Sequence, residues 1–204
     1  MLAGHYASAF VLKRFAPDVP LWALCLGVQA VDVGYMLLVL ANVESATVDN
    51  SRDPRFIVSH GIWTHSLLMT LVYGVACVVI GWMVGRRRWG WIAAAAVTSH
   101  WIADVVVHVP DLPMGLTDAP AVGLGLWKWP VASALLECAL VVATAQRRYW
   151  MLAASLVALQ LANDFVLPMD TDLHVLAVKA LALYGGVAIA AWYAEKGRTA
   201  GLRV

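Results

Sequence analysis

Apolar residues run along this chain in long blocks, not in alternation. Seven stretches stand out: 2–15, 20–42, 61–85, 89–109, 131–146, 149–167 and 173–194. Short polar or basic punctuation separates them. Ala16-Pro17-Asp18 ends the first, and Gln29 and Asp32 interrupt the second. Residues 43–58 form a polar loop, and a Pro/Gly-rich loop runs to about Pro130. Blocks of this length without period-two alternation predict helices, and uninterrupted apolar runs near 20 residues predict membrane crossings. The expectation is an all-α fold, a polytopic membrane helix bundle with about six to seven transmembrane segments. The first stretch is short for a full crossing.

Composition agrees. The chain is 62% hydrophobic and 13% charged, with mean hydropathy +0.75, whereas soluble domains are about half apolar and a quarter charged. Its 204 residues accommodate a single integral membrane domain and no second soluble one. A formal charge of +1 without a long basic run argues against nucleic acid as a partner. Cys25, Cys77 and Cys138 lie singly in separate apolar stretches and read as small buried hydrophobes. The Met-Leu-Ala-Gly-His start lacks a basic region and does not read as a removable signal peptide.

Basic residues suggest an orientation. Lys13-Arg14, Arg86–Arg88, Arg147-Arg148 and Lys196/Arg198 share one side if every stretch crosses, and that side is cytoplasmic by the positive-inside rule. Arg52 and Arg55, beside Glu44, Asp49 and Asp53, fall on the other. Trp82, Trp89, Trp91, Trp150 and Trp192 sit near the basic ends, and Trp63, Trp127 and Trp129 near the opposite ends, like interfacial belts. Lys128 reads as an anchor there.

The chemistry concentrates in His100-Trp-Ile-Ala-Asp104-Val-Val-Val-His108. On a helix, residues four apart share a face. Ionisable groups aligned in an apolar helix are costly and mark function by default. His60 and His65 begin the third stretch, His5 the first, and Asp32 lies within the second; all fall in the outer half of the expected bilayer. Imidazole and carboxylate are ligands for zinc and similar divalent ions, while single intramembrane histidines also serve as interhelical hydrogen-bond partners. His100 and His108 are about 12 Å apart along a helix axis, too far for one ion. His100 with Asp104 can serve one ion, or Asp104 can bridge two, an arrangement suited to displacement at phosphorus. A second polar group, Glu137, Asp164 and Lys179, suggests a buried ion pair or an ion pathway. Asp170-x-Asp172-x-His174 reads as a solvated loop.

Several pieces together resemble a known family. Gly4-His5, Asp32, His60-Gly-Ile-Trp-Thr-His65-Ser66-Leu-Leu and Ser99-His100-Trp-Ile-Ala-Asp104 are similar to motifs of the bacterial inner-membrane family of membrane-bound metal-dependent hydrolases. The resemblance covers roughly residues 4–130, the expected metal-site half, with 131–204 as additional helices. His108-Val-Pro-Asp111 and Gly123-Leu-Gly-Leu-Trp127 resemble a subgroup. The family's Asp-x-Asp-His becomes Asp32-Val-Gly-Tyr35 here, and the arginine of its His-Arg-Gly is absent; His108 or Asp111 is placed to compensate.

The resemblance implies a metal-dependent hydrolase of the bacterial cytoplasmic membrane, with its centre in the periplasmic half. The implied cofactor is one or two divalent ions, zinc in first place. The substrate would be a phosphoester or lipid-like molecule reached from the bilayer or the periplasm. His65, His100 and Asp104 are the leading ligands, and His5, Asp32, His60 and His108 the further candidates. Asp32 or Asp104 is the expected general base, and Thr64 and Ser66 are expected to fix the His65 ring. No serine-nucleophile arrangement is present. The competing readings are a transporter using a His/Asp relay and a non-catalytic membrane subunit.

Overall fold

The computed structural model describes residues 1–49, 56–117, 119–167 and 172–196. Arg52, Asp53, Arg55, Asp170 and Arg198 lie outside the described residues. Each apolar stretch forms helix: α1 (Ala3–Phe15), α2 (Leu21–Val28), α3 (Ala30–Leu40), α4 (Leu67–Met83), α5 (Arg87–Val107), α6 (Pro130–Thr144), α7 (Trp150–Phe165) and α8 (Leu173–Lys196). The stretch at 20–42 is broken at Gln29, and its halves α2 and α3 are bent by 55°.

The number of membrane crossings is corrected. Among the described residues only α5 (21 residues) and α8 (24 residues) are long and apolar enough to span, or three spans if the bent α2–α3 pair is one. The reason is length. At 1.5 Å rise per residue, α1 with 13 residues, α6 with 15, α7 with 16 and α4 with 17 fall short of a hydrocarbon core about 30 Å thick. The expected third segment, 61–85, loses its first turn because residues 61–66 form turns and bends, and α4 starts only after Ser66.

The all-α expectation also missed two small antiparallel sheets. Ser45–Asp49 (β1) pairs with Phe56–His60 (β2), with Ser45 opposite His60. Leu112–Pro113 (β3) pairs with Ala121–Val122 (β4). Both lie in segments read as polar or Pro/Gly-rich loops; β1 and β2 carry the β-branched Thr47, Val48, Ile57 and Val58, whereas β3 and β4 are two residues each.

Packing is inside-out for a water-soluble bundle. On α4 the buried positions are Thr70, Gly74 and Gly81, while Leu71, Val75, Val79, Ile80 and Met83 are exposed. Small residues facing the partner and large apolar ones facing outward are what a lipid-exposed helix requires. Gly81 and Gly90 let α4 and α5 approach. A Cβ on Gly81 would lie 2.6 Å from the Gly90 Cα, and one on Gly90 2.8 Å from the Cys77 carbonyl oxygen. The chain turns between them at Gly85 (φ 71°), where Arg86 N–H bonds Gly81 O and Gly85 N–H bonds Trp82 O, capping the last carbonyls of α4.

The basic residues gather at one end and tie helix ends together. Lys13, buried, reaches Glu195 at 2.7 Å and donates to the carbonyls of Pro17 and Val19. Glu195 in turn accepts from Leu21 N–H at the start of α2. Arg14 donates to Thr144 O at the end of α6. Asp18 accepts from the Trp89 indole and Arg88, which together hold its carboxyl below the ordinary range, the indole hydrogen bond first.

Gly90→Ala is expected to force α4 and α5 apart and to destabilise the detergent-solubilised protein by about 1–3 kcal/mol, the cost of overpacking. Thermal unfolding beside an Ala93→Ser control checks this; an unchanged midpoint would show that the close approach is dispensable.

Candidate metal centre

The site is at the end of the bundle opposite the basic cluster. It is built from the α2–α3 break, the turn before α4, the C-terminal half of α5 and the first turns of α1. Two carboxylates, Asp32 and Asp104, stand among four imidazoles. Asp104 Oδ2 is 3.0 Å from His100 Nε2 and 3.9 Å from His65 Nε2. Asp104 Oδ1 is 3.1 Å from His5 Nε2, 3.7 Å from His108 Nε2 and 2.8 Å from the Met1 amino group. Asp32 Oδ1 is 3.2 Å from His65 Nε2 and 3.4 Å from His100 Nε2. Two sets of three ligand atoms lie within 4.8 Å of one another: His5, His100 and Asp104; and Asp32, His65 and His100.

Partners on the far ring nitrogens fix three of the four imidazoles. His100 Nδ1 is 2.7 Å from the Val28 carbonyl oxygen, which only accepts, so Nδ1 carries the proton. Val28 ends α2, so the helix break supplies the acceptor. Thr64 Oγ1 donates to Glu44 Oε2 at 2.7 Å and lies 3.0 Å from His65 Nδ1. With its one proton committed to Glu44, the hydroxyl accepts from His65 Nδ1–H. His108 Nδ1 is 2.9 Å from Asp111 Oδ1. In each case the Nε2 lone pair is left facing the carboxylates, the outer-sphere arrangement that orients metal-binding histidines.

Only some of the inner contacts are hydrogen bonds: the Met1 amino group donates to Asp104 Oδ1, and His65 Nε2 lies 3.2 Å from Asp32 Oδ1. His5 Nδ1 and Nε2, His100 Nε2 and Asp104 Oδ2 are buried without hydrogen-bond partners despite their short separations. Buried polar groups are ordinarily paired, and acceptors facing each other at 3.0–3.4 Å repel unless a proton or a metal ion lies between them. Zinc–nitrogen distances of 2.0–2.1 Å place tetrahedral ligands about 3.3 Å apart. The observed spacings match that, and the donor set of imidazole and carboxylate suits a divalent ion of the zinc type.

Other residues hold the ligands in place. Glu44, buried beside the hairpin, accepts from the Trp63 and Thr64 N–H groups as well as the Thr64 hydroxyl. Trp101 on α5 donates to the His65 carbonyl. Gly61 cannot carry a side chain without crowding, because its Cβ would lie 3.2 Å from both His65 Nδ1 and Thr64 Oγ1. Tyr184 on α8 donates to Asp32 Oδ2 at 3.1 Å. Trp127 packs on the His108 ring at 4.3 Å between centroids.

Most of the expected site residues meet here: His5, Asp32, His65, His100, Asp104 and His108. His60 does not; it ends β2, exposed, with its ring 3.4 Å from Thr47. Ser66 caps α4 by accepting from Met69 N–H, while Thr64 alone of the two touches the His65 ring. Glu137 is not held to a relay: it accepts from Leu2 and Gly4 N–H, and Gln160 from Ala3 N–H, so α6 and α7 cap the start of α1 and place His5. Asp164 accepts from Gln160. The sequence reading gave Glu44, Tyr184 and Gln160 no role in the site. Glu44 carried one weak signal, an acidic residue in a loop that adjoins the Thr-His-Ser motif only after folding.

A groove of about 500 Å³ between α3 and α4 reaches Thr64 but does not open on the ligands. Val31, Gly34 and Leu38 line it, whereas Asp32 projects from the other side of α3. No family model, curated protein or solved structure matches the chain.

Glu44→Ala removes the acceptor of three donors. Loss of about 1–3 kcal/mol is expected, together with faster hydrogen exchange at the Trp63 and Thr64 amides. Unchanged exchange at those two amides would show that Glu44 does not order the turn.

Proposed function

We propose that this protein is a membrane-bound metal-dependent hydrolase whose centre lies in the non-cytoplasmic half of a bacterial inner membrane. The carrying observation is the convergence of His65, His100, Asp32 and Asp104, with His100 Nε2 and Asp104 Oδ2 buried and unpartnered. The helices long and apolar enough to span and the basic cluster at the opposite end support the location. The similarity of the Thr-His-Ser and Ser-His-x-x-x-Asp pieces to the metal-dependent hydrolase family supports the reaction class.

A bound divalent ion would supply a Lewis acid and lower the pKa of a nearby water. His65 and His100 would hold such an ion from rings whose tautomers Thr64 and Val28 fix. Asp104 adds a charge from an enclosed position, its side chain 1% exposed, while the Asp32 side chain is 14% exposed. Asp32 is therefore the more exposed of the two carboxylates and the better placed general base. In the hydrolysis it would serve, the water oxygen bonds to phosphorus or an acyl carbon and the bond to the leaving oxygen breaks. The water proton passes to Asp32 and then to the leaving oxygen. Tyr184 keeps the other oxygen of Asp32 fixed during that exchange. A phosphoester or a lipid-like ester is the substrate class this reading favours.

Elemental analysis of protein purified in detergent without chelator is expected to find stoichiometric zinc or a similar metal in the wild type and little in His100→Ala. A metal-free wild type would sink the reading. Thr64→Val is expected to weaken metal affinity about 10–100-fold, the usual effect of losing an outer-sphere partner, and Thr64→Ser to restore it in a chelator competition. Equal affinities for the valine and serine variants would remove the hydroxyl from the account.

A further inference from the structure

Three arginines, Arg86, Arg87 and Arg88, are exposed where α4 turns into α5 at the basic end of the bundle. Arg88 is committed to Asp18 and the Phe15 carbonyl. Arg86 and Arg87 meet no carboxylate among the described residues. Each of their guanidinium groups lies over an indole ring instead, Arg86 on Trp89 at 4.7 Å and Arg87 on Trp82 at 4.0 Å. Stacking on a ring fixes the group while leaving its N–H edge free for a phosphate.

An apolar groove of about 270 Å³ runs between α4 and α5 beside these arginines. Gly74, Val75 and Val78 form one wall, and Trp91, Ala94 and Thr98 the other. Arg87 belongs to the same stripe of α5 as Trp91, Ala94 and Thr98, because positions three or four apart share a helix face. From Arg87 to Thr98 the helix rises about 16 Å, close to half of a hydrocarbon core about 30 Å thick. An interfacial cation therefore heads a slot as deep as one leaflet. Trp91, exposed, stands one turn below Arg87, where an indole suits the headgroup boundary. The floor of the slot is made of small groups: a Cβ on Gly74 would lie 3.5 Å from Thr98 Oγ1 and 4.0 Å from the Ala94 Cβ.

We infer that this face binds one anionic phospholipid of the bilayer, its phosphate on Arg86 and Arg87 and one acyl chain in the α4–α5 groove. Charge complementarity selects the headgroup, since two guanidinium groups without a carboxylate favour net negative charge over a zwitterion. The groove selects the chain, and its continuity with Arg87 along one helix stripe ties the two together. A free phosphate would leave the groove unfilled, and an uncharged chain would leave the arginines unpaired. The site lies at the opposite end from the His/Asp cluster. It rests on α5 crossing the membrane and not on the metal reading.

Native mass spectrometry of the detergent-solubilised protein, titrated with phosphatidylglycerol or with phosphatidylcholine of matched chains, tests this. The wild type is expected to hold one phosphatidylglycerol per chain, about fivefold more tightly than phosphatidylcholine, the effect of one arginine near a lipid phosphate. Arg87→Gln should remove that preference. Val75→Trp, at an exposed groove position, should weaken both lipids with the arginines intact. Arg147→Gln, which alters the same basic end away from the groove, should bind like the wild type. Equal affinity for the two lipids, or an equal loss in Arg147→Gln and Arg87→Gln, would reduce the effect to diffuse attraction and overturn the site. Competition by glycerol 3-phosphate at equal concentration would show an anion site that makes no use of the chain. A dimer that Val75→Trp dissociates would put a second copy of the protein in the groove, and would overturn the lipid assignment as well. If a variant does not fold, the wild-type comparison of the two lipids decides alone.

Discussion

Asp104 is a fully buried carboxylate in an apolar helix, and the rest of the site answers its charge. An isolated carboxylate in such surroundings is unstable by many kcal/mol; this one accepts from the Met1 amino group and faces four imidazole nitrogens. His100 lies one turn before it on α5, His108 one turn after, His5 arrives from α1, and His65 from the turn before α4. Each contact demands that another element be held in register. The break between α2 and α3 supplies the Val28 carbonyl for His100 and places Asp32 beside the same ring. The hairpin brings Glu44 under Thr64. The caps from Glu137 and Gln160 fix the first turn of α1. The site is thus also the organising polar core of one end of the bundle.

The other end is held by a different device. Lys13, Arg14, Asp18, Arg88 and Glu195 satisfy helix-terminal backbone groups and one another. Between the two ends the packing is apolar with large side chains turned outward, and the close glycine crossing of Gly81 and Gly90 lies beside the basic end. This division separates function from anchoring. Charges at the basic end are partly exposed and structural, whereas those at the other end are enclosed and carry the candidate chemistry.

The arrangement also distinguishes the two carboxylates. Both face imidazole nitrogens, but Asp104 is enclosed on every side and Asp32 retains some exposure. Under the proposed hydrolase reading, that difference makes Asp32 the better candidate for exchanging protons with a substrate.

By itself the sequence determined the helical segments, the apolar character and most of the residues that meet in the buried His/Asp cluster. Local rules sufficed: block length predicts a helix, and charged groups inside such a block are too costly to be idle, which singled out Asp32, His65, His100 and Asp104. Helix rise separates His100 and His108 by two turns, yet both rings face the Asp104 carboxylate. The number of spanning helices was overestimated, because hydropathy blocks include turn residues such as 61–66 that the folded chain keeps out of helix. Tertiary structure alone decided the rest. His60 and His65 look equivalent in sequence, yet strand pairing carries one outward and the turn before α4 carries the other inward. Glu44, Tyr184 and Gln160 are unremarkable in sequence, since their roles exist only through partners 20, 152 and 157 residues away. Which oxygen of Asp104 each histidine faces depends on the helices packing around one charge, and no local pattern encodes that.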